Sequence, residues 1–98
     1  MSINIRRKVR VQNRKGHSYS GTGFLTHWKD EKGIKNDPDC ARIGCDGTAD
    51  CGGHVYIPGT GPHPHYYIVP LCSSCNQTVF PNGFFVYDDD MVNAPAQD

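Results

Sequence analysis

The residues able to do chemistry are concentrated between Cys40 and Asn76, a stretch that holds all five cysteines of the chain. It opens CARIGCDGTADCGGHV and closes YYIVPLCSSCN, with a loop of prolines, glycines and histidines between. Cys72 and Cys75 have the two-residue spacing that lets both thiolates reach one tetrahedral ion, at about 2.3 Å from each sulfur. Cys40 and Cys45 enclose four residues, and Gly44 and Gly47 relieve the crowding of a turn that folds back around an ion. Two such pairs, with 26 residues between them, predict a four-cysteine zinc site. Cys51 leaves the ligand set open, because on spacing alone it or His54 can replace Cys40 in the shell. The reading adopted places Cys51 outside, as a free thiol near the site.

A chain of 98 residues, 37% of them apolar and with mean hydropathy −0.57, is one domain with a small core that calls for a staple. A structural zinc contributes about 10–16 kcal/mol of apparent binding free energy, more than the whole stability of many small domains. The metal-free chain is therefore expected to be poorly folded. Five cysteines cannot all pair as disulfides, and the N-terminus MSINIRRKVRVQ has charges where a signal peptide needs an apolar run. No run approaches the roughly 18 apolar residues of a membrane span. These features predict a cytoplasmic protein in a reducing compartment. The net charge of zero hides two opposed halves. Residues 1–35 hold nine cations against two acids, a balance of +7, whereas residues 36–98 hold Arg42 against eight acids, a balance of −7. Such a chain can draw its own ends together or turn its basic half toward a polyanion.

The elements that must position the cysteines can be read in order. Ile3, Ile5, Val9 and Val11 alternate with Arg6, Lys8 and Arg10, the period-two pattern of a half-buried strand with a basic outer face. Residues 16–23 read as a loop, and Phe24, Leu25 and Trp28 fall on one face of a short helix ending near Gly33, with Trp28 as its core anchor. His27 beside it reads as a surface residue. Beyond the first cysteine pair, strands around His54 to Ile57 and Tyr66 to Val69 should pair as a hairpin across the Pro58–Pro64 loop. Ser73 or Ser74 is expected to cap a helical turn carrying Cys75, and Asn82-Gly83 to introduce a last strand, Phe84 to Tyr87. The domain is thus expected to span residues 1–87, with its metal core at 40–76. Residues 88–98, acidic and without apolar period, are expected to be a disordered tail.

The order of a knuckle with Cys40 and Cys45, a histidine-bearing GGHV strand, a hairpin and PLCSSCN resembles the zinc-stapled HNH family. The resemblance covers Cys40 to Asn76 and implies an α+β fold: a small zinc-bound treble clef of HNH-like ββα type, here with an added N-terminal basic strand. It implies Cys40, Cys45, Cys72 and Cys75 as structural zinc ligands and His54 as the general base of a metal-dependent endonuclease. Asn76 stands where the family's terminal metal-binding histidine would be and would hold the catalytic Mg²⁺ or Mn²⁺. The pattern departs from the family at Gly53, where Asp or His is usual, and at Tyr67, where the orienting asparagine belongs. His63 and His65, with Asp46 and Asp50, are the residues from which a replacement site can be assembled.

Three functions follow. With the family's second-metal ligands largely missing, the first is a non-catalytic zinc-binding module that binds nucleic acid or a protein partner, with Arg6, Arg7, Lys8, Arg10, Arg14 and Lys15 as its candidate contact face for nucleic acid. The alternative is the HNH-like endonuclease with His54 as base. The third is a protein-interaction or inhibitor role, contacting a partner through the acidic tail or the aromatics Tyr66, Tyr67, Phe84, Phe85 and Tyr87, which otherwise read as hairpin core.

Overall fold

The computed structural model describes residues 6–14, 22–62, 64–78 and 80–95. Lys15, His63, Ile3, Ile5 and most of the 16–23 loop lie outside the described residues. Five antiparallel strands form a curled sheet in the order β4-β1-β2-β3-β5, where β1 is Lys8–Asn13, β2 Cys51–Tyr56, β3 Tyr66–Leu71, β4 Phe84–Tyr87 and β5 Val92–Asn93. Helix α1 (Thr22–Lys32) packs on β2 and β3, and the one-turn helix α2 (Ser73–Gln77) follows β3. The chain is thus an α+β domain.

The alternation in β1 has the expected consequence. Val9 and Val11 face inward opposite Val86 and Phe84 of β4, while Lys8 and Arg10 face outward opposite Tyr87 and Phe85. A basic alternating strand of this kind reads equally well as a sheet edge, but β1 lies inside the sheet, bonded on one side to β4 and on the other to β2. The hairpin forms as well, with His54 opposite Ile68 and Tyr56 opposite Tyr66. Strand β3 runs two residues past Val69, through a proline. Pro70 is compatible with the strand because its backbone faces the cysteine knuckle, where its carbonyl accepts from Ala41 N at 2.7 Å and β2 asks for no donor.

Period two divides the sheet into two faces. The inner face gathers Val11, Val55, Val69, Leu71, Phe84 and Val86 against Cys40 and Cys75. The outer face of β2 and β3 carries Gly52, His54, Tyr66 and Ile68, and α1 covers it. That approach is close: a methyl on Gly52 would stand 2.5 Å from Phe24 Cβ and 2.7 Å from Leu25 N. Leu25 and Trp28 fill the seam, Trp28 only 3% exposed. Helix α1 ends in a Schellman turn, with Gly33 at φ 68°, Ile34 N donating to Lys29 O and Gly33 N to Asp30 O.

Residues 88–95 correct the expectation of disorder. Asp88–Asp90 form a 3-10 turn, and β5 pairs with Tyr67 and Ile68. The turn is tied down from three directions. Trp28 Nε1 donates to Asp90 O at 2.7 Å, Lys32 Nζ donates to Asp89 O, and Arg6 bridges the carboxylates of Asp89 and Asp90 at 2.9 Å each. Arg6 of the basic half and Asp89 and Asp90 of the acidic half therefore meet in the fold.

Candidate metal centre

The Asp39–Thr48 knuckle is closed by backbone bonds that place the sulfurs of Cys40 and Cys45. Cys40 N donates to Gly47 O at 2.8 Å, Cys45 N to Arg42 O at 3.0 Å, and an isolated bridge joins Asp39 to Thr48. Ile43 N reaches Phe85 O and Ala41 N reaches Pro70 O, so the knuckle is fastened to β4 and to β3. The second pair rides on the end of β3 and the first turn of α2. Cys72 itself caps that helix, its sulfur accepting from Cys75 N at 3.4 Å. The expected cap by Ser73 or Ser74 is not formed: Ser73 Oγ donates to the Asp50 carboxylate instead. A thiolate fills the same role, because it too accepts from an orphan N–H of the first turn.

The ligand atoms of Cys40, Cys45, Cys72 and Cys75 all lie within 4.8 Å of one another, and Cys45 and Cys72 are 3.9 Å apart. Four thiolates about 2.3 Å from one ion stand about 3.8 Å from each other, so the cluster matches a tetrahedral metal site with slight contraction. The four cysteines can hold a metal ion. Four sulfurs leave no coordination position for water or substrate, which makes the site structural in its chemistry.

The surroundings suit a negatively charged centre. Gly47 N donates to Cys45 Sγ at 3.4 Å and Arg42 Nε to Cys75 Sγ at 3.1 Å. The Cys75 bond raises the Arg42 pKa further above its ordinary range. Burial pushes the Cys40 thiol up to about 12 and raises Cys75, whereas the Gly47 N–H holds Cys45 down at about 7. Without an ion, the buried sulfurs of Cys40 and Cys75 keep their protons. Arg42 was legible in the sequence only as the lone cation of the acidic half, although its place between two metal-spaced cysteines was a signal that it faces them.

Cys51 lies outside the cluster. It is buried on β2, donates to Leu71 O at 3.2 Å, and is pushed up to about 11 by burial and then by the charge of Asp50.

The residues of the endonuclease reading are not brought together. The His54 ring lies between Phe24 and Tyr66, with centroids at 5.3 and 4.8 Å, on the face covered by α1. Asn76 Oδ1 lies on the other side of β2, 3.4 Å from where a Gly53 methyl would point. Consecutive strand residues face opposite ways, so His54 and Asn76 flank the strand rather than share an ion. The described members of the replacement set, His65, Asp46 and Asp50, form no cluster either. His65 donates to Asn93 Oδ1, Asp50 accepts from Ser73, and Asp46 is exposed on the knuckle.

The basic residues have unequal fates. Arg6 is held by Asp89 and Asp90 and lies over the Tyr87 ring at 3.9 Å, and Arg14 lies over Tyr66 at 4.8 Å. Lys8 and Arg10 stay exposed on the outer face, Arg10 donating to Asn82 O, and Arg7 is exposed nearby. Comparison with family models, with curated proteins and with solved structures returns no match. No helix among the described residues is long and apolar enough to cross a membrane.

Proposed function

We propose that this chain is a non-catalytic module of treble-clef type, stapled by one zinc ion, that binds nucleic acid through its basic N-terminal strand. The observation that carries the reading is the convergence of Cys40, Cys45, Cys72 and Cys75 from a knuckle and a helix start on either side of the β2–β3 hairpin. That order is the treble-clef order, and four soft thiolates in tetrahedral reach favour zinc. The partner is argued from charge: Lys8 and Arg10 project from a rigid strand with Arg7 beside them, in a chain whose acids at 89 and 90 are already engaged by Arg6. The separation of His54 from Asn76 weighs against an HNH-like nuclease, which needs base and cation at one phosphate.

The test is made on protein purified without added zinc. Metal analysis should return one zinc per chain, and plasmid incubated with magnesium or manganese should stay intact. Salt-sensitive binding of nucleic acid should weaken on reversing the charges of Lys8 and Arg10. Cleavage that disappears in His54→Ala would replace this reading with the endonuclease.

A further inference from the structure

The face of β4 and β1 that α1 leaves uncovered carries the most exposed large apolar side chain among the described residues, Phe85, at 49%. Its position is unusual. In the register Phe85 stands directly opposite Arg10, and Tyr87 directly opposite Lys8, so two aromatic and two cationic side chains alternate on one face of the sheet. Phe85 also forms the rim of a hollow of about 440 Å³ along the outer edge of β4, lined by Lys8, Arg42, Phe80 and Phe84 among others, with no acid among its described lining residues. Arg42 lies over the Phe80 ring at 5.4 Å, which brings a third cation to the far side.

We infer that this surface binds single-stranded nucleic acid, with one base stacked on Phe85 and the flanking phosphates on Lys8, Arg10 and Arg42. This rests on the nucleic-acid reading above and specifies its form and its site. Three features select a single strand. An exposed aromatic ring offers stacking area that any base can use but only an unstacked one can reach. The surface is a sheet face, while α1 is committed to packing on β2 and β3 and α2 is one turn long, so no helix among the described residues is presented to enter a duplex groove. The hollow beside Phe85 admits one extruded base, and its cations lie on both sides, where the backbone must enter and leave. Lysine is depleted from the cores of protein interfaces, whereas here Lys8 lines the same hollow as Phe85.

The inference is tested by fluorescence anisotropy of zinc-loaded protein with a dye-labelled oligothymidylate and with a blunt duplex of the same length, at low and moderate salt. The wild type should prefer the single strand. Phe85→Ala should weaken that binding about 5- to 140-fold, the range of losing one base–aromatic stack, with little effect on duplex binding. Phe85→Trp should restore it and show tryptophan quenching on binding. Metal content and thermal melting of each variant verify the fold. Equal affinity for both forms with Phe85→Ala unchanged would overturn the inference and leave the nucleic-acid reading standing. Absence of binding to either form at low salt by folded, zinc-loaded wild type would overturn both, and point to a protein partner on this face.

Discussion

Replacing Gly52 with alanine is the sharpest test of how α1 is seated. The added methyl would stand 2.5 Å from Phe24 Cβ, 2.6 Å from the Phe24 carbonyl carbon and 2.7 Å from Leu25 N. Carbon atoms pack at about 3.5–4.0 Å, so the helix must withdraw by about 1 Å. Two of the three obstructing atoms are backbone, and no side-chain rotation relieves them. Withdrawal also loosens Leu25, Trp28 and Ile68, all buried in the same seam. Overpacking costs about 1–3 kcal/mol where side chains can yield, and with a helix backbone in the way we expect about 3 kcal/mol. For a domain of this size that lowers Tm by about 12–24 °C. Urea and thermal unfolding of the zinc-loaded protein, followed through the buried Trp28, measure it. Zinc stoichiometry should be unchanged, because the cysteine cluster packs on the opposite face of β2. A loss under about 1 kcal/mol, or a loss of zinc with the helix, would refute the reasoning.

Serine at Cys40, Cys45, Cys72 or Cys75 should abolish one-to-one zinc binding, while Cys51→Ser retains it; metal analysis of the purified variants decides. Chelation should unfold the domain, seen as exposure of Trp28 and loss of cooperative melting. Zinc must expel the protons that burial holds on Cys40 and Cys75, and below about pH 7 the one that Cys45 takes up as well, so competition titrations should show affinity falling at least about a hundredfold per unit as pH drops from about 8 to 6; a slope below about tenfold would contradict this count. Asp89→Asn removes an exposed partner of Arg6, so stability should change by less than about 1 kcal/mol while affinity for nucleic acid rises. An unchanged affinity would mean that Arg6 takes no part in binding.

The local parts of the fold were legible because local chemistry decides them. Alternation placed Val9 and Val11 inward, Gly33 ended α1, and the cysteine spacings anticipated a cluster that the fold assembles. What escaped depends on distant partners. Nothing near Lys8 tells that it will lie opposite Tyr87 rather than on a sheet edge. The segment DDDMVN has no period to read, since β5 is two residues long and is held by Tyr67, His27 and His65 from elsewhere in the chain. Alternation also predicts that His54 and Gly53 face opposite ways, but only the position of α1 decides which face is closed.

The interior place of β1 dictates an order of assembly. Its ladder partners are residues 55–56 and residues 84–87, so during synthesis the segment 8–13 must wait for almost the whole domain before it is paired on both sides. The cysteine pairs and their hairpin are complete by residue 75 and can gather around an ion first, giving β1 and β4 a preformed edge on which to close. Such late, long-range pairing is slow and exposes unpaired strand in the meantime. The cations at 8 and 10, whatever they bind in the finished protein, also repel neighbouring chains during that interval.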